Sequence, residues 1–157
     1  MASRSDRYVS LRFRPLWVYI EGIREFCAQY CQVTFGNPEL VERFRIVSHE
    51  ALENAVRLSA DADNDEVTVE LFSDGRSVVM SVTNSASRKD AGVLKQELEV
   101  VYQKSPSQSY SDAIGRALAT PDGSTRLGLA RMRAEGQVDL ELKQDGGRIQ
   151  LVARATL

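Results

Sequence analysis

Hydrophobic and polar positions along this chain follow two periods, and the switches between them mark nearly every element. Residues 8–14, YVSLRFR, set Val9, Leu11 and Phe13 against polar neighbours, which predicts a strand ended by Pro15. From Leu16 to Phe35 the apolar positions recur at helical spacing through Ile20, Ile23, Cys27 and Cys31, predicting a long amphipathic helix. Gly36, Asn37 and Pro38 stop it and start a second helix over 37–59. There Asn37 is the expected N-cap, Pro38 takes the first helical position, and Leu40, Phe44, Val47, Ala51, Ala55 and Leu58 form one stripe.

Beyond the polar loop 61–65, the segments 66–72 and 76–83 read as two strands joined at Ser73-Asp74-Gly75, a hairpin signal. Residues 84–92 are small and polar and read as a loop, followed by a helix from Val93 to Gln103. Residues 104–123 are the least regular stretch, rich in serine with Pro106 and Pro121, and hold at most a short helix from Ser111 to Ala119. A connection of that length in a compact domain is either disordered or functional, so it reads as a lid-like loop. A helix over Ser124 to Glu135 and two strands, 138–144 and 148–155, close the chain. This order predicts a single-domain α/β two-layer sandwich, with a mixed or antiparallel sheet and helices on one face.

The 157 residues suffice for one sizeable core, and 43% hydrophobic with 27% charged residues is ordinary for a globular protein. A net charge of −2 gives no general attraction to nucleic acid or anionic lipid, and no stretch is apolar for the length of a membrane span. The N-terminus lacks a signal peptide's apolar core, so a cytoplasmic location is expected. The basic start, with Arg4, Arg7, Arg12 and Arg14, suits a solvated edge strand, with an interaction arm as the alternative. Cys27 and Cys31 share a helix face and read as buried thiols in a reduced compartment, and a single histidine excludes a common zinc site.

Two groups of residues could carry chemistry. Glu50, Asn54 and Arg57 line a second stripe of the 37–59 helix, roughly 90° from the apolar one. There an acid could polarise a hydroxyl, an amide oxygen could hold Mg²⁺ and a guanidinium could meet a phosphate. The same spacing also suits a solvated helix edge. The second group is Gly123-Ser-Thr-Arg-Leu-Gly-Leu129, where glycines before a helix let backbone N–H groups approach a phosphate. Of the remaining features, Trp17 is expected to pack on the sheet and His49 to be a surface or boundary residue. The run Arg126, Arg131 and Arg133 reads as a solvated helix face, with an acidic partner or a phosphate as the alternative.

Together these stretches resemble the GHKL family, the histidine-kinase-like (Bergerat-type) ATPase fold of gyrase, Hsp90 chaperones, sensor histidine kinases and MutL. Within it, size and order look most like the anti-sigma-factor serine kinases of bacterial partner switching. Glu50-Ala-Leu-Glu-Asn54-Ala55 matches the N box, which implies Glu50 as general base, Asn54 as Mg²⁺ ligand and Arg57 as phosphate ligand. Leu127-Gly128-Leu129, followed by Met132 and Val138-Asp139, matches the tail of the G2 box. By the same resemblance Gly123, Thr125, Arg126, Leu127 and Gly128 border the phosphates, and ATP or ADP with Mg²⁺ is the implied cofactor.

The chain also departs from the family. The G1 box DxGxG should follow the strand near Thr83, where Asn84-Ser85-Ala86-Ser87 stands. Asn84 then replaces the acid expected to meet adenine, and Arg126 takes the middle glycine of G2, whose backbone freedom it cannot supply. The expectation is a regulatory domain that docks a protein and whose ATP site is weakened. The implied partners are a sigma factor, an anti-sigma-factor antagonist or a signalling kinase, and a homodimer would form through the edge strand. The alternative is an active ATP- and Mg²⁺-dependent serine/threonine kinase. A third reading is an unrelated two-layer α/β fold.

Overall fold

In the computed structural model, residues 7–59, 61–119 and 127–157 are described. Five strands run along the chain: β1 (Val9–Phe13), β2 (Val67–Ser73), β3 (Ser77–Ser85), β4 (Asp139–Asp145) and β5 (Arg148–Thr156). They form one sheet in the order β1-β2-β3-β5-β4, and every pairing is antiparallel, so of the two expected sheet types the antiparallel one is found. The registers Leu11↔Val69, Val69↔Val82, Val82↔Leu151 and Leu151↔Leu142 carry one apolar row across all five strands. That row belongs to the face on which the helices pack, while Arg12, Glu70, Arg154 and Glu141 point the other way.

The helices are α1 (Ile20–Phe35), α2 (Pro38–Leu58), α3 (Arg88–Val101), α4 (Pro106–Ala119) and α5 (Gly128–Ala134), with a 3-10 turn at Trp17–Tyr19 ahead of α1. α1 ends at Gly36, whose φ of 62° is the left-handed conformation glycine adopts without penalty. Asn37 then caps α2, its Oδ1 accepting from the N–H groups of Glu39 and Leu40 at 3.0 and 3.3 Å. On α2, Leu40, Phe44, Val47, Leu52 and Ala55 are fully buried. Burying a side chain the size of leucine or phenylalanine is worth about 1.5–3 kcal/mol, so this stripe fixes α2 as the hub of the helical layer. α1 and α5 pack beside it, and α4 packs on α5.

Three expectations are corrected. The segment 84–92 is not all loop: β3 continues to Ser85, and α3 starts at Arg88 because the Ser87 hydroxyl accepts from the Asp90 N–H at 3.1 Å. Of the connection expected to be irregular over 104–123, α4 takes up Pro106–Ala119, and 120–123 lie outside the described residues. Proline suits a helix's first position, and Ser105 Oγ accepts from Gln108 N–H at 3.3 Å. Finally, Trp17 is not packed on the sheet but exposed. The N-terminal part of the helix expected over 124–135 lies outside the described residues.

Two arginines lock element ends. Arg43 of α2 donates to the carbonyls of Gly136 and Gln137, at 3.0 and 2.9 Å, and so holds the turn between α5 and β4. Gln137 there has a φ of 51°, a conformation that costs a non-glycine residue roughly 1–2 kcal/mol. Arg133 lies 4.2 Å from the Tyr102 ring centroid and donates to the carbonyls of Val101 and Lys104, which brings a cation to the C-terminus of α3.

Candidate functional site

Glu50, Asn54 and Arg57 follow one another on the C-terminal half of α2, and the first two lie against Gly128 of α5. Asn54 is only 8% exposed, and its Oδ1 accepts from Arg57 Nη2 at 2.6 Å. A guanidinium can only donate, so the amide atom facing Arg57 must be the oxygen. The amino group is therefore turned away from Arg57, and Asn54 Nδ2 is buried with no hydrogen-bond partner among the described residues.

Glu50 meets a cation that the helix pattern did not pair with it. Arg131 of α5 donates from Nη1 to Glu50 Oε1 at 2.9 Å, with the Glu50 side chain 13% exposed. The same guanidinium donates from Nε to Glu135 Oε2 at 3.1 Å, and Tyr110 of α4 hydrogen-bonds the Glu135 carboxylate. A relay Tyr110–Glu135–Arg131–Glu50 thus ties α4 and α5 to α2. The electrostatics follow the contacts. Hydrogen bonds from Tyr110 and then Arg131 outweigh burial and lower Glu135, while burial and then the bond to Glu135 raise the Tyr110 phenol. Burial opposes the charge on Arg131, but its bonds to Glu50 and Glu135 outweigh that and raise it.

Gly128 completes this cluster. A Cβ placed there would lie 2.9 Å from Glu50 Oε2 and 3.7 Å from Asn54 Nδ2, so the start of α5 rests directly on the acid and the amide. Leu127 is half-buried and packs against the core. Gly123, Thr125 and Arg126 lie outside the described residues. Asn84 is buried on the core face of β3 opposite Ile149, and its Nδ2 donates to the Ser85 carbonyl at 2.8 Å. Only its Oδ1 is left for an adenine amino proton, and no described contact joins it to the Glu50–Asn54 cluster.

The implied cofactor can be tested on these atoms. A Mg²⁺ ion needs oxygen ligands at about 2.0–2.1 Å, but Asn54 Oδ1 already accepts from one guanidinium and Glu50 Oε1 from another. A cation at Asn54 Oδ1, the implied Mg²⁺ ligand, would stand against the Arg57 guanidinium, so the residues present do not fit it. Among the described residues no group of three or more His, Cys, Asp or Glu side chains could hold a metal.

Sequence reasoning missed Tyr110, Glu135 and Gly136, and it gave Arg131 as part of a solvated face, with an acidic partner or a phosphate as the alternative. The spacing of Arg131 and Glu135 by four residues signals a helical ion pair, but no local signal couples Arg131 to Glu50, 81 residues away. Of the arginine run, Arg131 has acidic partners and Arg133 caps α3, so neither is merely solvated. His49 Nε2 lies 3.2 Å from Glu53 Oε1, at the boundary of α2 as expected. Cys27 and Cys31 are free and fully buried.

No protein-family model and no curated protein matches the chain. A solved chain of the SiaB–SiaC complex from Pseudomonas aeruginosa shares the fold, with a TM-score of 0.69 at 18% identity, over 95% of this chain and 89% of that one. No described helix is long and apolar enough to cross a membrane.

Proposed function

We propose that this chain is a regulatory domain of the histidine-kinase-like type that acts by docking a protein partner, with a nucleotide site weakened relative to an active kinase. The observation that carries this reading is the likeness, over nearly the whole chain, to a chain from a two-protein complex. The site supports the second half: Glu50 is engaged by Arg131, Asn54 Oδ1 by Arg57, and Asn84 stands in place of an acid. By the resemblance of its boxes, the partner is a sigma factor, an anti-sigma-factor antagonist or a signalling kinase. Two copies of the chain would pair through β1. The test is to capture the partner, reconstitute the complex from purified proteins and weigh it by light scattering in EDTA without nucleotide. A stoichiometric complex is expected, and its absence with every captured candidate would overturn the reading.

One observation favours a second reading, an active serine/threonine kinase. Gly128 lies against both Glu50 and Asn54, the approach of a glycine to an acid and an amide that the G2 and N boxes imply. That reading requires transfer of labelled phosphate from ATP to a serine or threonine of the partner, lost in Glu50→Ala. An unlabelled partner leaves the docking domain as the account.

A further inference from the structure

Gly22 is a glycine that the chain's own packing does not require. It stands in the first turn of α1, its φ is not in the left-handed region, and a Cβ there would meet no atom within 4 Å. Glycine is among the poorest helix formers, so its place calls for a reason outside the helix. Gly22 lines a cleft of about 320 Å³ between β1 and the start of α1, together with Leu11, Phe13, Val18, Tyr19 and Ile23. A larger residue at position 22 would narrow that cleft. One step before Val18, Trp17 is left 58% exposed. An open apolar cleft and a large aromatic knob therefore lie side by side, and both adjoin β1, the sheet edge whose one paired neighbour is β2. A twofold axis sets such a surface against itself, so that the knob of each copy meets the cleft of the other.

We propose that the cleft is the seat of Trp17 from a second copy of this chain, and that the exchange of the two indoles anchors the dimer. The inference rests on the pairing of two copies through β1, and it adds the side chains that hold that pairing. The edge itself allows it. An antiparallel pairing centred on Leu11 sets Val9 opposite the other copy's Phe13 and Ser10 opposite its Arg12, which carries the apolar row of the sheet into the second copy. A slip of one residue would turn Leu11 to the wrong face, and centring on Arg12 would set two guanidinium groups opposite each other. Tryptophan is the side chain most enriched at interface anchors, because one indole buries a large apolar area with few rotors to fix.

Trp17 is the chain's only tryptophan, so its fluorescence reads the contact directly. Mass by sedimentation and emission with iodide quenching are measured on the same samples, for wild type and for Gly22→Leu. In the wild-type dimer the emission should be blue-shifted and shielded from iodide, and in Gly22→Leu it should be red-shifted and open to it. Gly22→Leu fills the cleft and should weaken the dimer about 100-fold, as should Trp17→Ala, which removes the anchor. The Gly22→Leu monomer should keep its urea midpoint, since leucine is the better helix former and position 22 has room for a Cβ. A dimer whose Trp17 stays open to iodide, or one that survives both substitutions, would overturn the exchange and leave the β1 pairing standing. A chain that sediments as a monomer would remove the exchange and the pairing together. A Trp17 shift that comes only with an added partner protein would give the cleft to that partner and overturn the proposal.

Discussion

Gly128 and Gly136 bracket α5, and both lie against α2, but the atoms they touch make opposite demands. A Cβ at Gly136 would fall 2.4 Å from the Met132 carbonyl oxygen and 2.5 Å from Val47 Cγ2, one a backbone atom and the other part of the core. Neither can yield, so Gly136→Ala should cost about 1–3 kcal/mol, lowering the calorimetric Tm by several degrees. At Gly128 the obstructing atom, Glu50 Oε2, ends a flexible side chain. Gly128→Ala should therefore leave Tm nearly unchanged while turning Glu50 away from Arg131; the opposite ranking of the two variants would refute this packing. A second residue-scale expectation concerns the thiols. Burial pushes Cys27 and Cys31 up to about 12, the charge of Cys31 adding to the effect on Cys27. The native thiols should resist alkylation at pH 8 and react once the chain is unfolded. Both values are raised on folding, so the thiols' contribution is fully present below about pH 9 and is lost as pH rises toward 12. Replacing both with alanine should flatten the alkaline limb of the stability curve, and an unchanged limb would remove the thiols as its cause.

At the scale of elements, α2 is the member on which the others are registered, and arginines do much of the registering. Arg43 reaches from α2 to two carbonyls of the α5–β4 turn, one of them on the left-handed Gln137. Arg43→Ala removes both bonds and should cost about 1.5–3 kcal/mol, seen as a lower urea midpoint with an unchanged slope. Gln137→Gly in that background should recover part of the loss by relieving the strained φ; no recovery would mean that Arg43 acts elsewhere. The sequence made α2 legible because its cap, its proline and its apolar stripe agree locally. It hid α4, whose buried residues include Ser109 and Ala113, too small and polar to mark a stripe. It hid the start of α3 because Arg88, Lys89 and Asp90 look like loop, although Ser87 caps the helix. Of the candidate site, Glu50, Asn54, Arg57 and Gly128 could be read from the chain, and the structure brings them together. Arg131 could not be recognised as the partner of Glu50, because that pairing exists only once α5 lies on α2.

For the molecule as a whole, helices on one face leave the sheet two edges, and the two are treated differently. On its solvent face β4 carries Asp139, Glu141, Lys143 and Asp145, charges that discourage another strand from adding there. β1 is guarded less: of its outward positions Ser10 is neutral and only Arg12 is charged, and Val9, Leu11 and Phe13 are only half-buried. Beside it Trp17 is 58% exposed, and Val18, 78% exposed, lines a cleft of about 320 Å³ with Leu11, Phe13, Tyr19 and Ile23. Exposed apolar groups next to an unpaired edge strand are what edge-to-edge pairing uses, because backbone bonds and apolar burial are then gained together. In the proposed homodimer, Val18 would be buried, while in the monomer it touches little. Val18→Asp should therefore convert a sedimenting dimer to a monomer with no loss of Tm, since a charge at so exposed a position leaves the monomer's fold indifferent. A wild-type chain that sediments as a monomer at 100-micromolar order would refute the pairing. A variant that loses Tm as well as mass would place Val18 in the fold itself and not in an interface.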